Sequence, residues 1–256
     1  MIKLNDILGY KNRVIYQDNN FFSFSLDSVL LSNFCSIRKK DKKILDLCTG
    51  NGVVPFIVSL RTKSKIEGVE VQKDIYDMAI KSNEKNNLTD QISFYNFDVK
   101  DFCTKDKFDS YDLITCNPPY FKYDNNSNGN ISKEKLIARH EYLISIEEII
   151  NISSNLLKER GNFSLIHRTD RFIEIIQLLK KYKLEPKRIV FIYNKLSKGS
   201  QLFFIESQKN GETGLKIEKP FIVYNENNSY TDDYKRIIEE VLEWFKIVMI
   251  INLLYI

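Results

Sequence analysis

Residues 43–52 read KILDLCTGNG. An apolar run of strand length, KILDLC at 43–48, leads into a turn with glycines at 50 and 52. A second apolar run, VVPFIVSL at 53–60, follows at once. Its Pro55 stands near the start, where a helix tolerates proline because the first turn needs no N–H from it. A strand entering a helix through a glycine turn is the opening half of a parallel strand–helix–strand unit.

The alternation continues downstream. KIEGVE (65–70), ISFYNF (92–97), YDLITC (111–116) and GNFSLIH (161–167) read as further strands. Between the second and third, Ile75, Met78 and Ala79 recur at helical spacing. SIEEIINISSNLLKER (145–160) opens with Ser145 and Glu148 in capping-box spacing, and TDRFIEIIQLLKKY (169–182) reads as another helix. After Pro186 the texture changes. RIVFIY (188–193), SQLFFIES (200–207) and LKIEKPFIVY (215–224) read as strands with hairpin-like links, before a helical apolar end. This order predicts an α/β fold, a doubly wound and mostly parallel sheet with an antiparallel edge. Three segments are expected: an N-terminal appendage over 1–42 that contacts substrate, a domain over 43–235, and an apolar helix over 236–256.

The chain has 256 residues, 43% of them hydrophobic and 28% charged, with net charge +4. That charge permits binding to nucleic acid without demanding it. Four cysteines without CxxC spacing read as reduced, buried thiols, and two histidines are too few for a zinc site. The first residues lack the apolar core of a signal peptide. WFKIVMIINLLYI (244–256) is short of the ~20 residues that span a bilayer. A cytoplasmic protein, without membrane or metal, is expected.

Doubly wound sheets bind ligands beyond the carboxyl ends of their strands. Three acids stand at or near those ends: Asp46, Glu70 and Asp98. Glu70 is spaced from Gly50 as an acid that accepts hydrogen bonds from ribose, while Gly50 and Gly52 let a ligand approach bare backbone. Together they point to an adenosine-containing cofactor. The loop lacks both the full G-x-G-x-x-G fingerprint and a Walker lysine.

The fourth strand delivers TCNPPYF, residues 115–121, at the same edge. Pro118 forces Asn117 out of the helical region, Pro119 does the same to Pro118, and neither proline carries an N–H. A planar amine can then give one hydrogen to the Asn117 side-chain oxygen and the other to the Pro118 carbonyl. Such an amine is a poor nucleophile, because its lone pair is delocalised. Two fixed acceptors counter this and stabilise positive charge as a methyl group arrives. Tyr120, with Phe121 beside it, offers a face for stacking.

LDLCTGNG, GVEVQ, DVKDF and TCNPPYF, in this order, resemble the class I S-adenosylmethionine-dependent methyltransferases that modify planar amines. FSFSLDSVLL, IARHE, HRTDR, EPKRIV and YTDDY extend the resemblance, over about residues 10–235, to one bacterial family with a "methyltransferase small" domain. That family is the tRNA1(Val) (adenine(37)-N6)-methyltransferases, which act on a 6-amino group in valine tRNA. The resemblance implies a seven-stranded Rossmann-like sheet, S-adenosyl-L-methionine as cofactor and tRNA as partner. It sets the methionine part of the cofactor along Asp46, Gly50 and Gly52, the ribose on Glu70 and the adenine near Asp98. Asn117, Pro118, Pro119 and Tyr120 would hold the target base. The family usually has glycine where Cys48 stands, which implies a tighter first turn or a displaced cofactor.

Further substrate contacts are expected from residues near the same edge. His167 and Arg168 close the fifth strand there. Arg139 and His140 either face the site's mouth or pair locally with Glu141. RKKDKK (38–43) reads as a solvated basic loop ahead of a phosphate contact, and the Asn-rich loop at 123–135 as a lid. Rival readings are methylation of a protein glutamine or of guanine's 2-amino group in ribosomal RNA. A glutamine enzyme needs a helical N-terminal domain, for which the residues before 43 are too few. A non-catalytic cofactor-binding protein would not need Asn117 and Tyr120, and a nicotinamide dehydrogenase lacks an acid or base on the fourth strand. A monomer or weak dimer is expected.

Overall fold

The computed structural model describes residues 2–8, 10–18, 26–121 and 141–237. A hairpin, β1 (Ile2–Ile7) and β2 (Tyr10–Asp18), precedes α1 (Leu26–Phe34). Then come β3 (Lys43–Leu47), α2 (Val53–Val58), β4 (Lys65–Glu70), α3 (Lys73–Lys85), β5 (Ile92–Asn96), α4 (Val99–Phe102) and β6 (Tyr111–Cys116). α5 (Ile146–Leu156), β7 (Leu157–Arg168), α6 (Phe172–Lys181), β8 (Leu184–Tyr193) and β9 (Ser200–Lys209) complete the main body.

The long strands form one sheet in the order β5-β4-β3-β6-β7-β9-β8. Neighbours from β5 to β7 are parallel, and β9 runs antiparallel to both β7 and β8. The order reverses between β3 and β6, where Leu47 lies opposite Cys116. The seven-stranded sheet with an antiparallel edge is thus present. One element differs from expectation: 215–224 is not a hairpin strand but two short strands, β10 (Lys216–Ile217) and β11 (Phe221–Ile222), both parallel to β8. Pro220 between them has no N–H for a ladder, so the pairing breaks there.

Alternate residues of each inner strand enter opposite apolar layers, which is why these strands read as unbroken apolar runs. Ile44, Ile66, Leu113 and Ile166 face one layer with α1, α2 and α3; Leu45, Val69, Ile114 and Leu165 face the other with α5 and α6. Each fully buried Leu or Ile contributes ~1.5–3 kcal/mol. The expected capping box at Ser145 and Glu148 is formed.

The described residues before 43 do not form the expected appendage. Ile7, Tyr10, Ile15, Val29, Leu30 and Leu31 are buried in the same core as Ile44 and Phe56. The buried residues of α1 and β2 thereby complete one side of the sheet's own core. RKKDKK lies at the amino ends of the strands, opposite the ligand edge. Arg38 is spent there on Asp41 (2.8 Å) and on the carbonyls of Asp112 and Arg160. The helix expected over 236–256 falls, from 238 on, outside the described residues, as does the loop at 123–135. Among the described residues no helix is long and apolar enough to cross a membrane.

Candidate active site

The turn after β3 is built from left-handed backbone. Cys48, Gly50 and Gly52 have φ of 54°, 58° and 91°. A Cβ at Gly52 would lie 2.7 Å from Phe94 Cζ, so the position admits only glycine; a Cβ at Gly50 would meet nothing, because that residue faces open space. Cys48 holds the left-handed shape that glycine adopts freely. The cysteine thereby carries a steric cost that glycine would not carry there.

Glu70 closes β4 with a buried carboxylate. Its Oε2 accepts from the Gly50 N–H (3.0 Å) and its Oε1 from the Gln72 N–H (2.9 Å). The acid thus pins the glycine turn, and a carboxylate's about four acceptor sites exceed its Gly50, Gln72 and Val71 N–H donors, which leaves capacity for a ligand. Burial raises its pKa against the pull of these N–H groups. Asp46 is buried one residue before the end of β3 and accepts from Thr115 Oγ1 at 2.6 Å. Burial pushes its pKa up to about 7, with the Thr115 and Thr49 hydroxyls opposing and the charge of Glu70 adding. Such a carboxyl is suited to a positively charged ligand group. Asp98 caps α4, accepting from the Lys100 N–H at 2.9 Å, and is half-buried.

Three further residues shape this half of the edge and were not singled out from sequence. Asn96 donates to the carbonyls of Glu70 (2.8 Å) and Val71 (3.0 Å), holding the turn after β4. Val71 and Phe97 are 37% and 51% exposed, apolar surfaces next in sequence to Glu70 and Asp98. Their signal was available: each is an apolar residue adjoining an acid at a strand's end.

Beyond β6, Pro118 is buried and Asn117, Pro119 and Tyr120 are half-buried. Asn117 Nδ2 donates to Ser28 Oγ at 3.0 Å. The Tyr120 hydroxyl lies 2.8 Å from Asp27 Oδ2 and 2.6 Å from Asn117 Oδ1. Burial, then the charge of Asp27, raises the phenol's pKa, so it keeps its proton. Asp27 and Ser28 belong to the first turn of α1, a contact that no local pattern foretells; only the FSFSLDSVLL resemblance contained them.

His167 is fully buried, its ring centroid 5.1 Å from that of Tyr120. Its Nδ1 accepts from the Arg168 N–H at 2.9 Å, so the ring proton sits on Nε2, which has no partner among the described residues. Burial, followed by the charge of Arg171, lowers its pKa to about 4. Arg168 bridges Asp170 (2.8 Å) and lies 5.0 Å from the Phe121 ring centroid, with Phe121 42% exposed. Glu141 is held by the Arg171 guanidinium in a buried pair. Arg139 and His140 lie outside the described residues. Among the described residues, no three His, Cys, Asp or Glu side chains cluster as a metal site.

One strand edge therefore gathers a glycine turn, a buried acid suited to a cation, an acid with spare acceptor capacity, and an amide beside two aromatic rings. A model of the methyltransferase small domain matches residues 14–184. A tRNA1(Val) (adenine(37)-N6)-methyltransferase of Flavobacterium psychrophilum is 25% identical over 232 residues, 89% of this chain and 95% of that protein. One from Actinobacillus pleuropneumoniae serotype 7 is 26% identical over 230 residues, 89% and 93% of the two chains. Among solved structures, one described as a predicted O-methyltransferase from Agrobacterium tumefaciens superposes with TM-score 0.64 at 18% identity, covering 83% of this chain and 95% of its own. Geranyl diphosphate C-methyltransferase from Streptomyces coelicolor, with S-adenosyl-L-homocysteine, gives 0.54 at 13% identity over 72% and 80%.

Proposed function

The chain belongs to the methyltransferase small domain family, and on that premise we propose an S-adenosylmethionine-dependent methyltransferase acting on the 6-amino group of an adenine in tRNA. By likeness to the named relatives, the nucleotide is adenine 37 of valine tRNA. The observation that carries the reading is the placement of Asn117-Pro-Pro-Tyr120 directly after β6, the strand that pairs with β3 and its glycine turn.

The residues present fit the cofactor. Gly50 borders open space, Asp46 is a buried carboxyl suited to the cationic methionine part, and Glu70 has acceptor capacity for ribose. Asp98, with Val71 and Phe97, would receive the adenine. The bound cofactor supplies an electrophilic methyl group.

The chain's own residues then act on the target amine. Asn117 Oδ1 and the Pro118 carbonyl accept its two hydrogens, drawing the nitrogen towards tetrahedral geometry and stabilising the charge that develops there. No base is required before attack; the proton leaves afterwards. Tyr120 and Pro119 pack the flat base, with Phe121 and Arg168 at the rim. His167, fully buried with its ring centroid 5.1 Å from that of Tyr120, backs the stacking ring from inside the fold. Arg139 and His140 remain candidates for the tRNA contact.

Methylation of a protein glutamine would use the same two acceptors. The residues before β3 pack into the sheet's own core and form no separate helical domain among the described residues, which favours the RNA reading. The test is nucleoside mass spectrometry of tRNA incubated with the protein and labelled cofactor. Labelled N6-methyladenosine is expected. Label in guanosine, or in a glutamine peptide alone, would overturn the assignment.

A further inference from the structure

α1 brings two polar side chains to the Asn-Pro-Pro-Tyr turn, and together they decide which end of the Asn117 amide is presented. An asparagine amide has an acceptor end and a donor end of nearly equal size. Only the acceptor end can take a hydrogen from an amine; the reversed amide would set its own N–H against the amine's. Asn117 Nδ2 donates to Ser28 Oγ at 3.0 Å while its Oδ1 faces the Tyr120 hydroxyl, and the two contacts together set the direction of the amide. Its Oδ1 lies 2.6 Å from the Tyr120 hydroxyl, which also lies 2.8 Å from Asp27 Oδ2.

A hydroxyl has one proton to give. A carboxylate is the stronger acceptor, since charge-assisted hydrogen bonds are roughly twice as strong as neutral ones. Asp27 therefore shares the Tyr120 proton with Asn117 Oδ1 and weakens the hydroxyl's hold on that oxygen, whose second lone pair is open to the incoming amine. Without Asp27, the same hydroxyl would turn to Oδ1 and compete with the amine for it.

Resting on the reading of Asn117 as the acceptor of the amine, we propose that Asp27 and Ser28 are positioning residues. Ser28 helps set the orientation of the Asn117 amide, and Asp27 weakens the Tyr120 hydroxyl's hold on its oxygen. Neither needs to touch the reacting atoms.

The test is the single-turnover rate at saturating tRNA and cofactor, with cofactor affinity read by calorimetry. Ser28→Ala and Asp27→Asn should each slow methyl transfer about tenfold or more, with cofactor affinity changed less than about threefold. Ser28→Thr, which keeps the hydroxyl, should restore most of the rate. In a Tyr120→Phe background there is no hydroxyl to redirect, so Asp27→Asn should then cost little more than Tyr120→Phe alone. Asn117→Ala separates this proposal from its premise. If Asn117→Ala transfers methyl normally, the acceptor reading itself fails. If Asn117→Ala is slow while Ser28→Ala and Asp27→Asn are as fast as the parent, the acceptor reading stands and the positioning role is wrong. Equal losses from Asp27→Asn with and without the Tyr120 hydroxyl, or loss of cofactor binding in either α1 variant, would also overturn it.

Discussion

Cys48 occupies backbone at φ 54°, where a side chain crowds the following carbonyl. Replacing it by glycine removes a cost of ~1–2 kcal/mol, partly offset by the greater freedom of glycine in the unfolded chain. Cys48→Gly should therefore stabilise the protein by about 1 kcal/mol and raise its melting temperature by roughly 2–4 °C. A fall in melting temperature would show that the thiol's packing outweighs the strain. At Asp46 the expected effect is a pH dependence. Its pKa in the folded chain is about 7, above the ordinary 3.8. The protonated form thus favours folding; that contribution is whole below the ordinary value and is lost as pH rises through about 7. A cationic cofactor favours the charged form, so binding should expel the proton and tighten between about pH 6 and about pH 8. Calorimetry in buffers of different ionisation enthalpy reads this directly, and Asp46→Asn should flatten it. The acid was legible in the sequence; its pKa was not, because burial by neighbouring strands sets it.

The N-terminal hairpin shows what the sequence leaves open at the scale of an element. Its strands carry polar and charged residues without clean alternation, so period alone does not mark them. Their partner is α3, far along the chain. Asn86 accepts from the Val14 N–H (3.0 Å) and donates to the Val14 carbonyl (2.7 Å), while Ser82 Oγ accepts from the Tyr16 N–H (2.9 Å). Asn51 of the glycine turn donates to the Tyr16 carbonyl at 3.4 Å, so the hairpin braces the candidate cofactor loop. Asn86→Ala leaves two backbone groups of Val14 without that partner and should cost ~1–3 kcal/mol. Amide exchange at Val14 and Tyr16 should quicken well before the central strands are affected. Unchanged exchange there would mean the hairpin is held by its apolar contacts alone.

For the whole molecule, the placement of charge decides where RNA can lie. The basic run at 38–43 sits at the amino edge of the sheet, away from Asn117, with Lys39 and Lys40 exposed to solvent. Lys39→Ala with Lys40→Ala should change tRNA affinity by less than about twofold, whereas Arg168→Ala at the proposed active-site edge should weaken it and reduce the slope of log K against log salt by about one. Filter binding across a salt series distinguishes them; a large loss from the lysine pair would move the RNA path to the other edge. Intact tRNA should be methylated faster than a short single-stranded oligonucleotide, since the modest net charge leaves shape to carry recognition.

The succession of strands and helices, the glycine turn, the acids at the strand ends and Asn-Pro-Pro-Tyr were all legible in the sequence, because each depends on patterns and backbone limits within a few residues. Parallel sheets announce themselves in unbroken apolar runs, and the two prolines restrict their own neighbourhood whatever surrounds them. The tertiary structure decided which distant groups meet. It brought Asp27 and Ser28 of α1 to Asn117 and Tyr120, His167 of β7 against Tyr120, and the hairpin onto α3. It also set the basic run on the far edge. Those pairings follow from how helices and strands pack across the sheet, and a hydrogen bond between residues some ninety positions apart leaves no periodic trace in either.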